Sequence, residues 1–289
     1  MPPPRVDLPQ ELYGSVIQFV SNRSDLVVLL YVSKAVHHEA KRVLYGSVDL
    51  AYNHLRIYAW FRMIASSPHL ALLVQSLTFG IQSLRMPSVA YSWFEVIARG
   101  LRSLTNLKEY ASSSHCSIML KQAHRLNLKK KGTRSISRYA QILDETPFRL
   151  KTFRNHMFDF EPTIPFLTSQ PDITTWYQCL AAEPSPQSSD PDLPLLPLLS
   201  DAAIPSWLLP TYHSRNITRL HTAMAYQIPD EEHHTLNTLV GYGRTLTALV
   251  LDRDVIDGCS KLEDFVTGLA ECLPLLESIY LWHRGDLVG

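Results

Sequence analysis

One short apolar phrase returns along most of this chain, and it limits the folds available more than any other feature. An apolar residue is followed by two others, then a second apolar residue, and often by one more residue and a third. Val74-Gln75-Ser76-Leu77-Thr78-Phe79 is a full copy. Shorter ones run from Leu107 to Tyr110, Leu150 to Phe153, Ile173 to Trp176, Leu196 to Leu199 and Ile217 to Leu220. The cleanest run from Leu246 to Leu251 and from Leu276 to Leu281. Alternation over so few residues predicts a short strand with one face buried. Helical periodicity fills several intervals: Ile57, Trp60, Phe61 and Ile64 share one face, as do Phe265, Val266 and Leu269. One such unit cannot bury its own apolar face, but a stack of them can.

Alternating strands and helices favour parallel strands with helical crossovers. An enzyme-type βαβ sheet would carry longer Val/Ile-rich strands and Gly-rich phosphate turns. This chain has neither, and only 11 glycines. The second apolar residues of successive copies lie roughly 21 to 43 residues apart, several within the period of a leucine-rich repeat. The expectation for residues 51–289 is therefore an irregular leucine-rich-repeat-like α/β solenoid. The stretch near 182–194 is rich in Pro and Ser, and predicts a disordered loop between repeats.

The first fifty residues read differently. Leu8-Pro9-Gln10-Glu11-Leu12 places Pro at a helix start, where its missing N–H costs nothing. Leu12, Val16, Phe19 and Val20 continue a helical stripe. Residues 21–24 break it, and Ser24 or Asp25 is expected to cap the next helix. Apolar residues from Leu26 to Leu44 again fall at spacings of three and four. Three short helices of this size bury little alone and need a neighbour or a partner.

Leu8-Pro9-Gln10-Glu11-Leu12, then Ser24-Asp25-Leu26, Val32-Ser33-Lys34 and the run from Leu44 to Leu50 together resemble the F-box. The resemblance covers about residues 6–50, and implies a three-helix module, residues 1–50, that docks the adaptor subunit of SCF-type cullin–RING ubiquitin ligases. Carried over, Leu8, Pro9, Leu12 and Ile17 begin the adaptor contact, and Leu26, Leu29, Leu30, Val32 and Lys34 continue it. The chain departs from the family pattern at Ser33 and at Val36-His37, where many members carry a Cys and a Trp. The remainder is similar to the repeat tails of fungal F-box proteins.

Catalytic and metal signatures are missing. Twelve histidines and four cysteines form no H-E-x-x-H and no zinc spacing, and no P-loop or G-x-S-x-G elbow occurs. Lys129, Lys130 and Lys131 with Arg134 and Arg138 read as a solvated basic run. The formal net charge is zero, so neither nucleic acid nor membrane is expected as a partner. No secretion signal or spanning segment is read, and the cysteines look like free thiols, so the expected location is cytoplasmic or nuclear.

The function expected is substrate recognition for a ubiquitin ligase, with no catalytic residue, metal or cofactor of its own. A non-catalytic scaffold is the alternative, and an unrecognised hydrolase a more distant one. Strand alternation puts Ala248, Val250 and Asp252, then Ser278, Tyr280 and Trp282, on the outward face. Tyr177, Asp252, Arg253, Tyr280 and Trp282 are therefore the expected contacts to an unknown target protein. The competing role for Trp282 is a cap over the open end of the array.

Overall fold

The computed structural model describes residues 9–50, 54–80, 90–112, 142–156, 158, 160–178, 196–213, 215–224, 231–254 and 261–284. Among these residues, nine parallel strands form one sheet in strict chain order. They are β1 (Ser47–Leu50), β2 (Ser76–Phe79), β3 (Glu109–Ser112), β4 (Thr152–Asn155), β5 (Thr175–Gln178), β6 (Asp201–Ala203), β7 (Arg219–Ala223), β8 (Ala248–Asp254) and β9 (Ser278–Arg284). Helices α1 (Gln10–Ile17), α2 (Arg23–Leu29) and α3 (Lys34–Gly46) precede the sheet. Between strands lie α4 (His54–Ser66), α5 (Pro68–Ala71), α6 (Ala90–Arg102), α7 (Phe160–Thr168), α8 (Leu209–Tyr212), α9 (Glu231–Leu239) and α10 (Leu262–Cys272). Leu8, the stretch 182–194 and the basic run at 129–138 lie outside the described residues.

The recurring phrase has a clear physical basis. Its second apolar residues, Leu77, Tyr110, Phe153, Trp176, Leu220 and Leu249, are all buried, each register-paired with the equivalent residue of its neighbour or one strand away. Three residues earlier, Val74, Leu107, Leu150, Ile173, Ile217 and Leu246 are buried in the turn that leads into each strand. The apolar pattern places the sixth copy at Leu196 to Leu199, but the strand lies at Asp201–Ala203. Leu199 is the turn residue there, and the strand's core residue is Ala202, too small to stand out in an apolar pattern.

Backbone rungs join the strand starts. Gln75 N donates to Gly46 O, Lys108 N to Gln75 O and Lys151 N to Lys108 O, and the series continues to Glu277 N on Thr247 O, all at 2.8–3.0 Å. Along β2, β4, β5 and β7 the burial alternates, so helices cover one face and the other is open. Aromatic rings run through the covered side. Phe61 meets Phe79 at 5.5 Å, Phe79 meets Tyr110 at 5.6 Å, and Tyr110 stacks on Phe153 at 5.6 Å. At Gly100 of α6, a Cβ would lie 2.6 Å from the Phe61 ring and 3.1 Å from its carbonyl, so only glycine admits this approach to α4.

The phrase predicts an apolar third position. In the middle of the sheet that position is buried and polar: Ser112, Asn155, Gln178 and Thr222. The Ser112, Asn155 and Gln178 side chains satisfy a backbone turn, whereas the buried Thr222 hydroxyl finds no partner among the described residues. Asn155 accepts from Phe158 N at 2.8 Å and donates to Phe158 O at 2.9 Å and Gln178 Oε1 at 3.0 Å. Ser112 Oγ accepts from His156 N at 3.0 Å. Polar groups are tolerated in an interior where they find such partners.

The three N-terminal helices hold a second, separate core of Ile17, Leu26, Val36 and Ala40. Asn22, rather than Ser24 or Asp25, caps α2 by accepting from Ser24 N at 3.0 Å. Ser33 caps α3 through Val36 N at 3.3 Å. Helix α3 runs directly into β1, so the strand at 47–50, grouped with the helices in the sequence reading, is paired in the sheet. Arg23 of α2 fastens the junction, donating to Leu44 O and Ser47 O at 3.4 and 3.2 Å.

At the far end, Arg253 is only 1% exposed. Its guanidinium meets Glu232 of α9 at 2.6–2.7 Å and lies 4.9 Å from the Phe265 ring centre. Removing one member of such a pair strands the other charge in the interior. Glu232→Ala is expected to cost about 3 kcal/mol, at the low end for a buried pair because Glu232 retains some solvent contact. Chemical denaturation of the variant against the parent checks this.

Candidate functional site

Two surfaces gather the residues singled out by the sequence. The first is the side of α1 and α2 that faces away from the helical core. Of the residues assigned to the adaptor contact, Pro9 and Leu12, and Val32 and Lys34 at the start of α3, are exposed, while Leu29 and Leu30 are half-buried against the core. Ile17 and Leu26 are a correction. Both are 4% exposed, because they lie on the inner side of their helices and pack on Val36 and Ala40. They hold the helices together and are not free to touch a partner. Val16, Phe19, Val27, Val28 and Tyr31, which the sequence reading did not assign to this surface, are exposed as well, Phe19 at 81%. Val16 and Phe19 belong to the helical stripe at the start of the chain, a pattern that ordinarily marks a core-facing side. With these residues added, the helices present a series of bare apolar side chains over 12–32.

The second surface is the open face of the sheet. One row across it reads Asp49, Thr78, Ala111, Arg154, Tyr177, Ala203, His221, Val250 and Tyr280, each paired in register with the next. The neighbouring row includes Asp201, Arg219 and Ala248. Arg154 lies over the Tyr177 ring, 4.9 Å from its centre. The Tyr177 hydroxyl donates to Asp201 at 3.4 Å, and Asp201 meets Arg219 at 2.8 Å. Burial and the Asp201 carboxylate push the Tyr177 phenol up, so it stays protonated as a donor. Tyr280 and Trp282 stand exposed at the last strand with ring centres 5.4 Å apart.

Tyr177, Asp252, Tyr280 and Trp282 thus share the open face. Arg253 does not. Successive side chains of a strand point to opposite faces, so Arg253 turns under the sheet beside Asp252 and pairs with Glu232. Arg154, Asp201, Arg219 and His221 join the face without having been foreseen. On their strands the apolar pattern marks only the buried residue, and Arg219 and His221 of β7 show that polar residues alternate with it.

Residues 6–83 match the family model of the COS11 F-box domain. The match passes beyond the three helices, through β1, α4, α5 and β2, and exceeds the span on which the sequence resemblance rested. The N-terminal region is therefore similar to an F-box domain. No curated protein matches the chain. No helix among the described residues is long and apolar enough to cross a membrane.

The two classes of helix residue are separable by stability. Ile17→Ala empties a buried site and is expected to cost about 2–4 kcal/mol, whereas Leu12→Ala changes an exposed side chain and stays within about 1 kcal/mol. Urea denaturation of both variants reads the difference. His221 gives a pH dependence. Burial lowers its pKa below the ordinary 6.5, and Asp252, 3.9 Å away, only partly opposes this. The unfolded chain then takes up the proton first, so His221 has its full stabilising effect above pH 6.5 and loses it as the pH falls through that value. His221→Gln is expected to flatten the loss of stability between neutral and mildly acidic buffer, as read by denaturation across that range.

Proposed function

We propose that this chain is the substrate-recognition subunit of an SCF-type cullin–RING ubiquitin ligase. The observation that carries the reading is a coincidence of two independent facts. The region that matches an F-box model is also the region whose helices leave Leu12, Val16, Phe19, Val28, Tyr31 and Val32 bare. F-box domains generally bind the adaptor of such ligases, and an apolar helical face of this kind is suited to burial against an adaptor. Pro9, Leu29, Leu30 and Lys34 border the same surface, and Leu8 is assigned to its start by the motif.

The sheet takes the second role. In this reading it works as a leucine-rich-repeat-like solenoid, and its open face holds the target protein through Tyr177, Asp252, Tyr280 and Trp282. Aromatic side chains with two rotatable bonds bind with little loss of conformational entropy, which favours the Tyr280–Trp282 pair as an anchor. Catalysis belongs to other subunits, and this chain contributes proximity between the target and the transferring enzyme. The cytoplasm and nucleus are the compartments in which such a ligase works.

Leu12→Asp and Val28→Asp place carboxylates where the adaptor would cover them. Each is expected to weaken binding by about 3 kcal/mol, roughly a hundred-fold, with the chain still folded. A titration calorimetry or pull-down series with purified adaptor measures this, and wild-type affinity in the double variant would refute the docking assignment. Reconstituted ubiquitin transfer then separates a receptor from a scaffold, since a scaffold binds the adaptor yet leaves bound proteins unmodified.

A further inference from the structure

We propose that the pocket at the foot of β2, β3 and β4 binds a small molecule that carries a phosphate monoester. The pocket has a volume of about 420 Å³ and is lined chiefly by Gln75, Thr105, Asn106, Lys108, Pro147 and Arg149. That volume falls within the range of small-ligand sites. Gln75 and Lys108 immediately precede β2 and β3, and Arg149 stands shortly ahead of β4. None of the lining residues lies in a strand, so the pocket is separate from the open face of the sheet.

The lining carries a charge that the chain as a whole lacks. Basic and acidic residues balance at 27 each over the sequence. The pocket holds a lysine and an arginine but no carboxylate. The acidic residues nearest in the chain are turned elsewhere. Glu109, next to Lys108, begins β3 on the open face. Glu145 meets Arg102 at 3.4 Å. Among the described residues neither Lys108 nor Arg149 makes an ion pair, and the Gln75 amide and Thr105 hydroxyl make no hydrogen bond. Cations left without a counter-charge in one recess focus a positive potential into it.

The walls are fixed before any ligand arrives. Lys108 N donates to Gln75 O at 2.8 Å, which ties the feet of β2 and β3 together. Asn106 Nδ2 donates to Leu72 O at 2.8 Å. On the other wall Arg149 donates to the Ser169 carbonyl, and Gln170 Oε1 accepts from Leu150 N at 2.9 Å. The Ser169 contact uses only Nη1, which leaves further N–H groups of the guanidinium to donate. Groups held in place in this way lose little freedom on binding. The donors select the ligand. A phosphate monoester carries close to two negative charges at neutral pH and three strong acceptor oxygens. That matches two cations flanked by an amide and a hydroxyl, whereas a carboxylate offers one charge and two oxygens. Exposed Pro147 supplies an apolar wall for the organic part. This inference does not depend on the adaptor or the target reading.

The test is titration calorimetry of the full chain with glycerol phosphate, and with inorganic phosphate alone, into the millimolar range at low salt. Saturable binding at one site is expected, tighter for the ester. Lys108→Gln and Arg149→Gln are each expected to weaken it about tenfold, since each removes a hydrogen bond between charged groups. Lys261→Gln changes an exposed lysine just ahead of α10 and is expected to leave binding unchanged. Arg149→Gln also loses the Ser169 contact, so if it does not fold, Lys108→Gln decides. The proposal is overturned by the absence of saturable binding, by inorganic phosphate that binds as tightly as the ester, by an equal loss in Lys261→Gln, or by parental affinity in a folded Lys108→Gln. A phosphoserine peptide that binds more tightly than glycerol phosphate also overturns it, because the phosphate then belongs to a protein.

Discussion

Each strand of this sheet is held by the strand before it and buries that strand in return. The rungs from Gln75 on Gly46 to Glu277 on Thr247 make this a single repeated contact. Everything else is placed by it. The turn residues three positions ahead of each strand core, such as Leu107 and Leu150, are buried because the rung fixes where the turn must sit. The intervening helices pack onto whatever apolar row the rungs align. The open face exists because the same alternation sends every other side chain the opposite way.

This dependence explains what could be read from the sequence. The strand positions were legible wherever the core residue is large, as at Phe153, Trp176 and Leu249, because a large apolar residue at a fixed offset leaves a periodic mark. At Ala202 the mark vanishes, and the reading slipped to Leu199. The third position misled for another reason. A buried Asn155 or Gln178 has no apolar signature, and only its hydrogen bonds to the Phe158 turn explain its burial. Helix faces were harder still. Ile17 and Val16 are neighbours of the same chemical kind, yet one is core and the other bare. The two point about 100° apart on the helix, and the side on which α3 packs decides which one is buried.

The polar interior also separates two parts of the array. Between β3 and β5 the third row is hydrogen-bonded side chain to side chain, while β8 and β9 carry Leu251 and Leu281 in its place. Arg253 is the far counterpart of that polar row, one step further along β8, and it anchors α9 rather than a turn. Directional contacts of this kind fix register more firmly than apolar packing, since a slipped Asn155 or Arg253 would leave buried polar atoms unpaired. The apolar strands beyond depend on those anchors for their alignment.

The strict chain order of the strands has a consequence for biosynthesis. A chain leaves the ribosome from its N-terminus, and here each strand's first partner has always been made before it. The sheet can be laid down in the direction of translation, with no strand waiting for a distant segment to arrive. The helical module with its bare face emerges ahead of the sheet and rests on its own core. The growing edge of the sheet is, at every moment, the strand that was finished last.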